Sequence, residues 1–249
     1  MENVIVIILA AGKGTRMKSN KAKVLHELGG MPMIQYVVAT ALAVSDDVVV
    51  VIGHQAEAVR RALSKYSSVR FALQKEQLGT GHAVLTAMPL IPESIQDAVI
   101  LCGDTPLIRA ETICSLIKEH RAQGADLTLA TTRLEHPFGY GRIISDDQGR
   151  VLEIVEESDA TALEKKITTV NTGTYCVKIG FLEKSLPHLG NDNAQGEFYL
   201  TDVVGHAHGK GLSAGALEIH DSFEVLGVNT VEELAHAERL VCGLNGQRV

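Results

Sequence analysis

The sequence has little of what marks several special classes of protein. Aromatic residues make up only 4% of its 249 residues, and tryptophan is absent. The four cysteines, Cys102, Cys114, Cys176 and Cys242, are widely separated, so they predict neither a disulfide framework nor a zinc site. The longest apolar run, Val4–Ala11, is far shorter than the roughly 20 residues of a membrane-spanning helix. Together with the lack of a signal peptide, these shortages predict a cytoplasmic protein with no membrane partner.

Charge is distributed unevenly along the chain. The formal net charge is −7, yet residues 1–25 hold five basic residues and one acidic residue. An acidic body binds nucleic acid poorly, because non-specific affinity depends on neutralising many phosphates. The basic segment therefore predicts a site for a smaller anion. A solvated lysine-rich loop is the alternative, and charge alone leaves the two equally open.

Hydrophobic patterning in the first half of the chain predicts an α/β fold. Continuous apolar runs rich in β-branched residues predict buried strands at Val4–Leu9, Asp47–Ile52, Val69–Leu73, Ala98–Cys102 and Leu127–Thr131. Helical spacing between them predicts helices from about Pro32 onward and at Ala56–Leu63, Gly81–Met88 and Glu111–Gln123. Buried strands that alternate with helices are typical of a mostly parallel central sheet with helices on both faces.

The pattern changes after about residue 135. Shorter strands separated by turn residues are predicted at Gly141–Ser145, Val151–Val155 and Thr172–Val177, with a later strand at Ala214–Ile219. Helices are predicted at Phe181–Leu186, at about Leu200–His208 and at Val231–Leu240. Because no linker or repeat separates the two patterns, we expect one domain over residues 1–249 with an inserted β-rich substrate lobe.

A glycine-rich loop, Leu9–Met17, directly follows the first strand. Its small residues let backbone N–H groups approach an anion closely, and Arg16 supplies countercharge. The chain contains no P-loop string, and Met17 stands where a dinucleotide-binding fingerprint requires a small residue. A purely structural turn is the remaining alternative, but it leaves Arg16 and the nearby Lys23 unexplained.

This loop, followed by Lys23-Val24-Leu25, resembles the signature of the sugar-phosphate nucleotidyltransferase family. Six further strings resemble, in order and spacing, the uridyltransferase half of the bacterial N-acetylglucosamine-1-phosphate uridyltransferases: Gln74–Ala83, Gly103–Leu107, Gly139–Ile143, Asn171–Gly173, Asn193–Glu197 and Gly227–Asn229. Each string is weak evidence alone, but seven in order over about residues 3–240 are a specific match. The resemblance implies a Rossmann-like fold, a nucleotide-binding half at about residues 1–135, a sugar-binding half at about 136–230 and a C-terminal helix at about 230–249.

The resemblance also implies a reaction and a set of site residues. A sugar 1-phosphate oxygen would attack the α-phosphorus of UTP and release pyrophosphate, with Mg²⁺ as cofactor. Arg16, Lys23 and Asp104 would be catalytic, and Asp104 and Asn229 would hold the metal. The implied substrate-binding residues are Leu9, Ala10, Ala11, Gly12, Gly14, Gln74, Gly79, Thr80, Cys102, Gly103, Gly141, Glu156, Asn171 and Asn229.

Several of these residues also have plain structural interpretations. Asp104 could cap a helix after Pro106, Asn229 could cap the last helix, and Glu156 could belong to an exposed acidic run. Two residues depart from the family pattern. The family usually has proline where this chain has Ala22, so the loop before Lys23 is expected to be looser. It often has tyrosine where this chain has Cys102.

Other functions and the extent of the chain stay open in the sequence. A nucleotidyltransferase for another sugar 1-phosphate or nucleotide is one alternative function, and a non-catalytic nucleotide-sugar sensor is another. Met17 disfavours a third alternative, an NAD-dependent dehydrogenase. The family continues into a β-helix that carries acetyl transfer, and no such repeat follows Leu240. The sequence does not distinguish a single-function enzyme from part of a longer one, and it leaves a homo-oligomer open.

Overall fold

The computed structural model describes residues 1–225 and 227–245. In chain order, its strands are β1 (Val4–Ala10), β2 (Glu27–Leu28), β3 (Met31–Pro32), β4 (Val48–Ile52), β5 (Arg70–Leu73), β6 (Asp97–Cys102), β7 (Leu127–Arg133), β8 (Arg142–Ser145), β9 (Val151–Val155), β10 (Thr169–Lys178) and β11 (Ala214–Glu218). Its α-helices are α1 (Met33–Val44), α2 (Ala56–Ala62), α3 (Thr80–Ala87), α4 (Ala110–Gln123), α5 (Ile179–Ser185), α6 (Asp202–Gly209), α7 (Ser222–Val225) and α8 (Val231–Asn245).

Most strands form one mixed sheet, in the order β11-β7-β10-β6-β1-β4-β5. Strand β1 runs parallel to β4 and β6, and β4–β5 and β7–β11 are also parallel pairs. Strand β10 is antiparallel to β6 and β7, and the β8–β9 hairpin is attached to it. The mostly parallel α/β sheet predicted from the sequence is therefore confirmed.

The sheet has a hydrophobic core on each face, which explains why its central strands are apolar throughout. Val4, Val6 and Ile8 of β1 lie in one core with α1, α2 and α4. Ile5 and Ile7 lie in the second core with α3, α5 and α6. Because successive side chains of a strand point to opposite faces, a strand buried on both sides has no polar positions.

One strand expected in the β-rich lobe also belongs to the main sheet. Strand β10 pairs with β8 of the lobe, and it runs through the main sheet between β6 and β7. Its register on β7 shifts between Asn171 and Tyr175, and Val170 pairs with Arg142 of β8. One long strand thus serves both the sheet and the lobe, because the break in its register lets its first residues turn toward the hairpin.

The other predicted elements lie within a few residues of their expected bounds. The β2–β3 hairpin and α7 were not predicted, because two-residue strands and a four-residue helix are too short to show periodicity. Cys102, Cys114 and Cys176 carry free thiols, whereas the side chain of Cys242 and residues 246–249 of the predicted last helix lie outside the description. No helix within the described residues has the length and hydropathy needed to cross a membrane.

Candidate active site

Two adjoining cavities lie where the parallel strands β1, β4 and β6 end. The first, here called the loop cavity, has a volume of about 470 Å³ and is lined by Leu9, Ala10, Ala11, Gly12, Lys13, Gly14, Lys23, Val24, Gln74, Gln77, Gly79, Thr80, Ala83, Cys102, Asp104 and Glu197. The second, here called the lobe cavity, has a volume of about 280 Å³ and is lined by Leu9, Arg16, Lys23, Thr80, Cys102, Asp104, Thr105, Gly139, Tyr140, Gly141, Glu156, Asn171, Thr172, Gly173, Tyr175, Leu200, Thr201, Gly227 and Asn229. Both cavities include Lys23 and Asp104, so the two spaces meet at a pair of opposite charges.

The glycine-rich loop brings Lys23 to this junction. Gly14 has a φ of +65°, and a Cβ built there would lie 2.4 Å from the Cβ of Lys23. A side chain at position 14 would therefore collide with the segment that carries Lys23, in addition to straining the backbone. The sequence Gly-Thr-Arg-Met thus allows the loop and the Lys23 segment to pack directly against each other.

The alanine at position 22 allows a backbone hydrogen bond that the resemblance to the family did not predict. Its backbone N–H donates to Gln55 Oε1 at 3.0 Å, and Gln55 Nε2 donates to the Asn20 carbonyl at 2.5 Å. A proline at position 22 would have no N–H to donate. The expectation of a looser segment is therefore opposed by the Gln55 side chain, which holds the backbone on both sides of Lys21.

The charged groups at the junction are in mutual contact. Lys23 Nζ donates to Asp104 Oδ2 and, at 2.9 Å, to Asn229 Oδ1. Arg16 Nη2 also donates to Asn229 Oδ1 at 2.9 Å, across 213 positions of sequence. The structure thus brings together the three residues expected to be catalytic and the second residue expected to hold the metal.

These contacts test whether the site fits a magnesium ion. Asp104 Oδ2 and Asn229 Oδ1 converge on one cationic group, the Lys23 ammonium. Carboxylate and amide oxygens are donors that Mg²⁺ accepts, and this ion usually takes one or two protein carboxylates and completes its shell with water and phosphate. In the described part of the chain no group of three or more His, Cys, Asp and Glu side chains could hold a metal. The pair therefore fits a magnesium bound jointly with a phosphate ligand.

The structural alternatives for Asp104 and Asn229 are not observed. Helix α4 begins only at Ala110, and Asp104 contacts Lys23 instead of a helix end. At the start of α8, Glu233 N donates to Thr230 Oγ1 and Glu233 Oε2 accepts from the backbone N–H groups of Thr230 and Asn229. This is a capping box built on Thr230, so the Asn229 side chain is free to contact the cations.

The loop Gln74–Thr80 is shaped by Gln74 and Gly79; it is here called the base loop, because the family resemblance implies that it contacts the nucleotide base. Gln74 is 3% exposed, and its Nε2 contacts the Gly79 carbonyl and His82 Nδ1, both at 3.0 Å. Among the described residues none donates to Gln74 Oε1. Gly79 has a φ of +114°, and a Cβ there would lie 2.5 Å from the Phe198 carbonyl oxygen. The base loop therefore packs against the Asn193–Glu197 string and its neighbour Phe198.

Glu156 is a cavity residue and does not belong to an exposed acidic run. Its Oε1 accepts a hydrogen bond from Thr201 Oγ1 at 3.0 Å. Burial raises the pKa of this carboxyl, the Thr201 hydroxyl lowers it, and the charges of Asp202 and Asp159 raise it further. A Cβ on Gly141 would lie 3.4 Å from Glu156 Oε2, so the backbone of Gly141 lies directly against the carboxylate.

Three other predicted residues have distinct positions. Asn171 lines the lobe cavity, with its N–H on the Gly141 carbonyl at 2.9 Å. Burial, together with the charge of Asp104, raises the pKa of the Cys102 thiol to about 12, so this thiol is protonated at neutral pH. Gly103 is buried, its N–H donates to the Leu9 carbonyl at 2.9 Å, and it is not among the described residues that line either cavity, so its expected contact with substrate stays a prediction.

The sequence analysis missed side chains that complete the lobe cavity. Thr201, Tyr140 and Tyr175 all line it. Tyr140 stands inside the Gly139–Ile143 string, which was a usable signal, whereas Thr201 reaches Glu156 from 45 positions away with no local pattern. Gln55 was missed for the same reason.

The comparisons with known proteins identify the family and the fold. A profile of the family described as "MobA-like NTP transferase domain" matches residues 6–167. The chain therefore belongs to the NTP transferase family of that description. A crystal structure described as a "putative glucose-1-phosphate thymidylyltransferase" from Bacillus anthracis in complex with sucrose superposes with a TM-score of 0.75 and 20% identity, over 95% of this chain and 94% of that one. At this identity the superposition shows the fold.

Curated relatives are much more similar in sequence. The proteins named "Bifunctional protein GlmU" from Pelobacter propionicus and Desulfotalea psychrophila are 51% and 49% identical, over 97% and 94% of this chain. The matches cover 53% and 69% of those proteins. The chain thus spans about half to two thirds of the length of these relatives.

Proposed function

We propose that this chain transfers a uridylyl group from UTP to N-acetylglucosamine 1-phosphate, which yields UDP-N-acetylglucosamine and pyrophosphate. The alternatives within the class keep the reaction and change the sugar or the base. The similarity to the GlmU proteins supports the particular substrates. We further propose that the reaction takes place in the cytoplasm.

The observation that carries the proposal is the junction of the two cavities at Lys23 and Asp104. A nucleotidyl transfer needs two anionic substrates in one site, with the attacking phosphate oxygen in line with the leaving pyrophosphate. Two cavities that share a cation and a carboxylate suit this requirement. We assign the nucleotide to the loop cavity and the sugar phosphate to the lobe cavity.

The chain's own residues would act chiefly by position and charge. Arg16 offers a planar fork to phosphate oxygens, and Lys23 offers a movable point charge. Gln74 Oε1 can accept from the N–H of a pyrimidine edge. Glu156 and Asn171 would contact the sugar hydroxyls and its N-acetyl group. The attacking oxygen belongs to the substrate phosphate, which is already ionised at neutral pH, so no protein nucleophile is required.

Magnesium is part of the proposal. Asp104 and Asn229 would hold the ion, which would neutralise phosphate charge and polarise the phosphorus. Because Lys23 contacts both ligands in the structure, the same oxygens would have to serve the ammonium and the ion at different stages. Lys23 would then be available to the phosphates.

The test is pyrophosphate release over a grid of nucleoside triphosphates and sugar 1-phosphates, with and without magnesium. We expect the highest kcat/KM with UTP and N-acetylglucosamine 1-phosphate, and no release once magnesium is chelated. The highest value with glucose 1-phosphate, or with another nucleotide, would replace the substrate assignment. Binding of UDP-sugars without release from any pair would contradict the enzyme and favour a sensor.

A further inference from the structure

The lobe cavity is bordered by a three-residue turn, Gly139–Gly141, whose polar backbone groups are bonded to the lobe. The N–H of Gly139 donates to Glu157 Oε2 at 3.1 Å. The carbonyl of Tyr140 accepts from Arg142 Nη1, and the carbonyl of Gly141 accepts from the N–H of Asn171 at 2.9 Å. The position of this turn therefore depends on two side chains that do not line the cavity.

These two side chains, Arg142 and Glu157, form a single unit. Arg142 Nη2 donates to Glu157 Oε2 at 2.6 Å, so one carboxylate oxygen serves both the guanidinium and the turn. Arg142 is the first residue of β8 and only 2% exposed, and its backbone pairs with Val155 of β9 and Val170 of β10. The guanidinium is thus held at the centre of the lobe.

Glu156 is the sequence neighbour of this unit. It directly follows β9, and Glu157 is the first residue of the turn that comes next, in which the Glu156 carbonyl accepts from the N–H of Asp159 at 3.0 Å. The Glu157 carboxylate contacts Arg142, whereas the Glu156 carboxylate lines the lobe cavity, where Thr201 and Gly141 contact it. A change at either member of the pair would therefore move a ligand-facing carboxylate and a ligand-facing turn together.

A purely stabilising role explains this pair poorly. Arg142 Nε is buried and has no hydrogen-bond partner among the described residues. A buried ion pair with an unsatisfied donor contributes little net stability, because the cost of removing the charges from water offsets their attraction. Fixing a geometry is a better account of why charged groups occupy the position.

We propose that Arg142 and Glu157 are positioning residues for the sugar phosphate, which hold the Gly139–Gly141 turn and the Glu156 carboxylate in the arrangement that binds it. The inference rests on the proposed function, because it assigns the sugar phosphate to the lobe cavity. Neither residue touches the loop cavity, so nucleotide binding should be insensitive to them.

The experiment compares Arg142→Met, Arg142→Lys and Glu157→Gln with the wild type in steady-state kinetics. Folding is checked by circular dichroism. We expect Arg142→Met to raise KM for the sugar phosphate by about tenfold or more while KM for UTP changes less than about twofold. Lysine should rescue part of the loss, because it restores the charge but not the fork that reaches Glu157 and Tyr140 together. Glu157→Gln should give a smaller shift, since its oxygen can still accept from Gly139.

Arg121→Met is the matched control. Arg121 pairs with the buried Asp97 at 2.9 Å, at the end of β6 opposite to Cys102. The Arg121→Met substitution should lower thermal stability and leave the KM values for UTP and for the sugar phosphate unchanged. An unchanged sugar KM in folded Arg142→Met, or parallel changes in both KM values, would overturn the proposal. If Arg142→Met does not fold, the same criteria apply to Glu157→Gln.

Hydrogen–deuterium exchange separates this inference from the proposed function. Faster exchange of the Gly139 amide in Arg142→Met and Glu157→Gln, but not in Arg121→Met, is expected whichever sugar phosphate is the substrate. Unchanged exchange at this amide would refute the positioning role. If the wild type releases pyrophosphate with no sugar phosphate at all, the proposed function fails and the positioning of a sugar phosphate fails with it, even where exchange shows that the pair orders the turn.

Discussion

The loop cavity and the lobe cavity are built by different means. The loop cavity is bordered along one side by the backbone of Leu9–Gly14, which can approach a ligand because four of its six residues are alanine or glycine. The lobe cavity is bordered by side chains that are themselves held by others, such as Glu156 by Thr201. The first type of site is visible as a sequence motif, whereas the second depends on pairs that only folding brings together.

The adjacent carboxylates of Glu156 and Glu157 have pKa values that are shifted in opposite directions. Burial by itself would raise the pKa of Glu157, but hydrogen bonds from Arg142 and from the Gly139 N–H lower it. For Glu156, burial raises the pKa and the single hydrogen bond from Thr201 does not compensate. Two neighbouring glutamates thus have pKa values shifted in opposite directions, because their hydrogen-bond partners differ.

The largest expected effect on activity comes from a substitution that changes both cavities at once. Asp104→Asn removes the carboxylate that they share, so we expect kcat to fall by about 10²–10³-fold, the range found when one preorganised charge-stabilising group is lost. Circular dichroism should show an intact fold. Asp47→Asn is the control, because Asp47 pairs with Arg70 outside both cavities. Near-normal turnover in saturating magnesium would rule out the role given to Asp104.

The next effect should separate the two cavities. Gln74→Ala removes the buried amide of the loop cavity and should raise KM for UTP by about 10–100-fold, with little change in KM for the sugar phosphate. Glu156→Gln should do the reverse, because it removes a charged acceptor from the lobe cavity. Steady-state kinetics with each substrate varied in turn measures both values. Equal changes in both KM values for each variant would show that the assignment of substrates to cavities is wrong.

A third prediction concerns stability and pH. The folded protein binds the Glu156 proton more strongly than the unfolded chain does, so the stabilisation this gives is complete below the unfolded pKa and is lost as pH rises through the folded pKa. Glutamine cannot ionise, so Glu156→Gln should gain stability relative to the wild type as pH rises above the unfolded value of 4.5.

Glu157 should show the opposite dependence. Its stabilisation is present above the unfolded pKa and is lost as pH falls through the folded pKa. Glu157→Gln should therefore be less stable than the wild type at neutral pH and approach it in acid. Urea denaturation at pH values on both sides of the unfolded pKa of 4.5 measures both differences, and the same sign of slope for the two variants would contradict the opposite pKa shifts.

The smallest expected effect tests whether the loop cavity also depends on a side chain that does not line it. Gln55→Ala removes the two hydrogen bonds around Lys21, each worth about 1 kcal/mol. We expect KM for UTP to rise about two- to fivefold, with KM for the sugar phosphate unchanged. Gln35→Ala, which removes a hydrogen bond to the Ala62 carbonyl, is the control. An unchanged KM for UTP would mean that the glycine-rich loop holds Lys23 without this side chain.

Most of the fold could be predicted because its signals are local. The apolar run of β1 is buried on both faces, and such a run is legible without any partner. Strand β10 was assigned to the lobe because its neighbours in sequence are lobe strands. Its place between β6 and β7 depends on pairing with residues far earlier in the chain, for example Val177 with Leu127, 50 positions earlier, and with Ala98, 79 positions earlier.

The candidate site divides in the same way. Local sequence predicted the residues whose role depends on residue type and short spacing, such as Gly14 beside Arg16. It also predicted Asp104 after a buried strand. It did not predict Thr201 on Glu156, Gln55 on Ala22, or the sharing of Glu157 between Arg142 and Gly139. Those contacts join segments that have no pattern in common, and their geometry exists only once the sheet has set the distances between its loops.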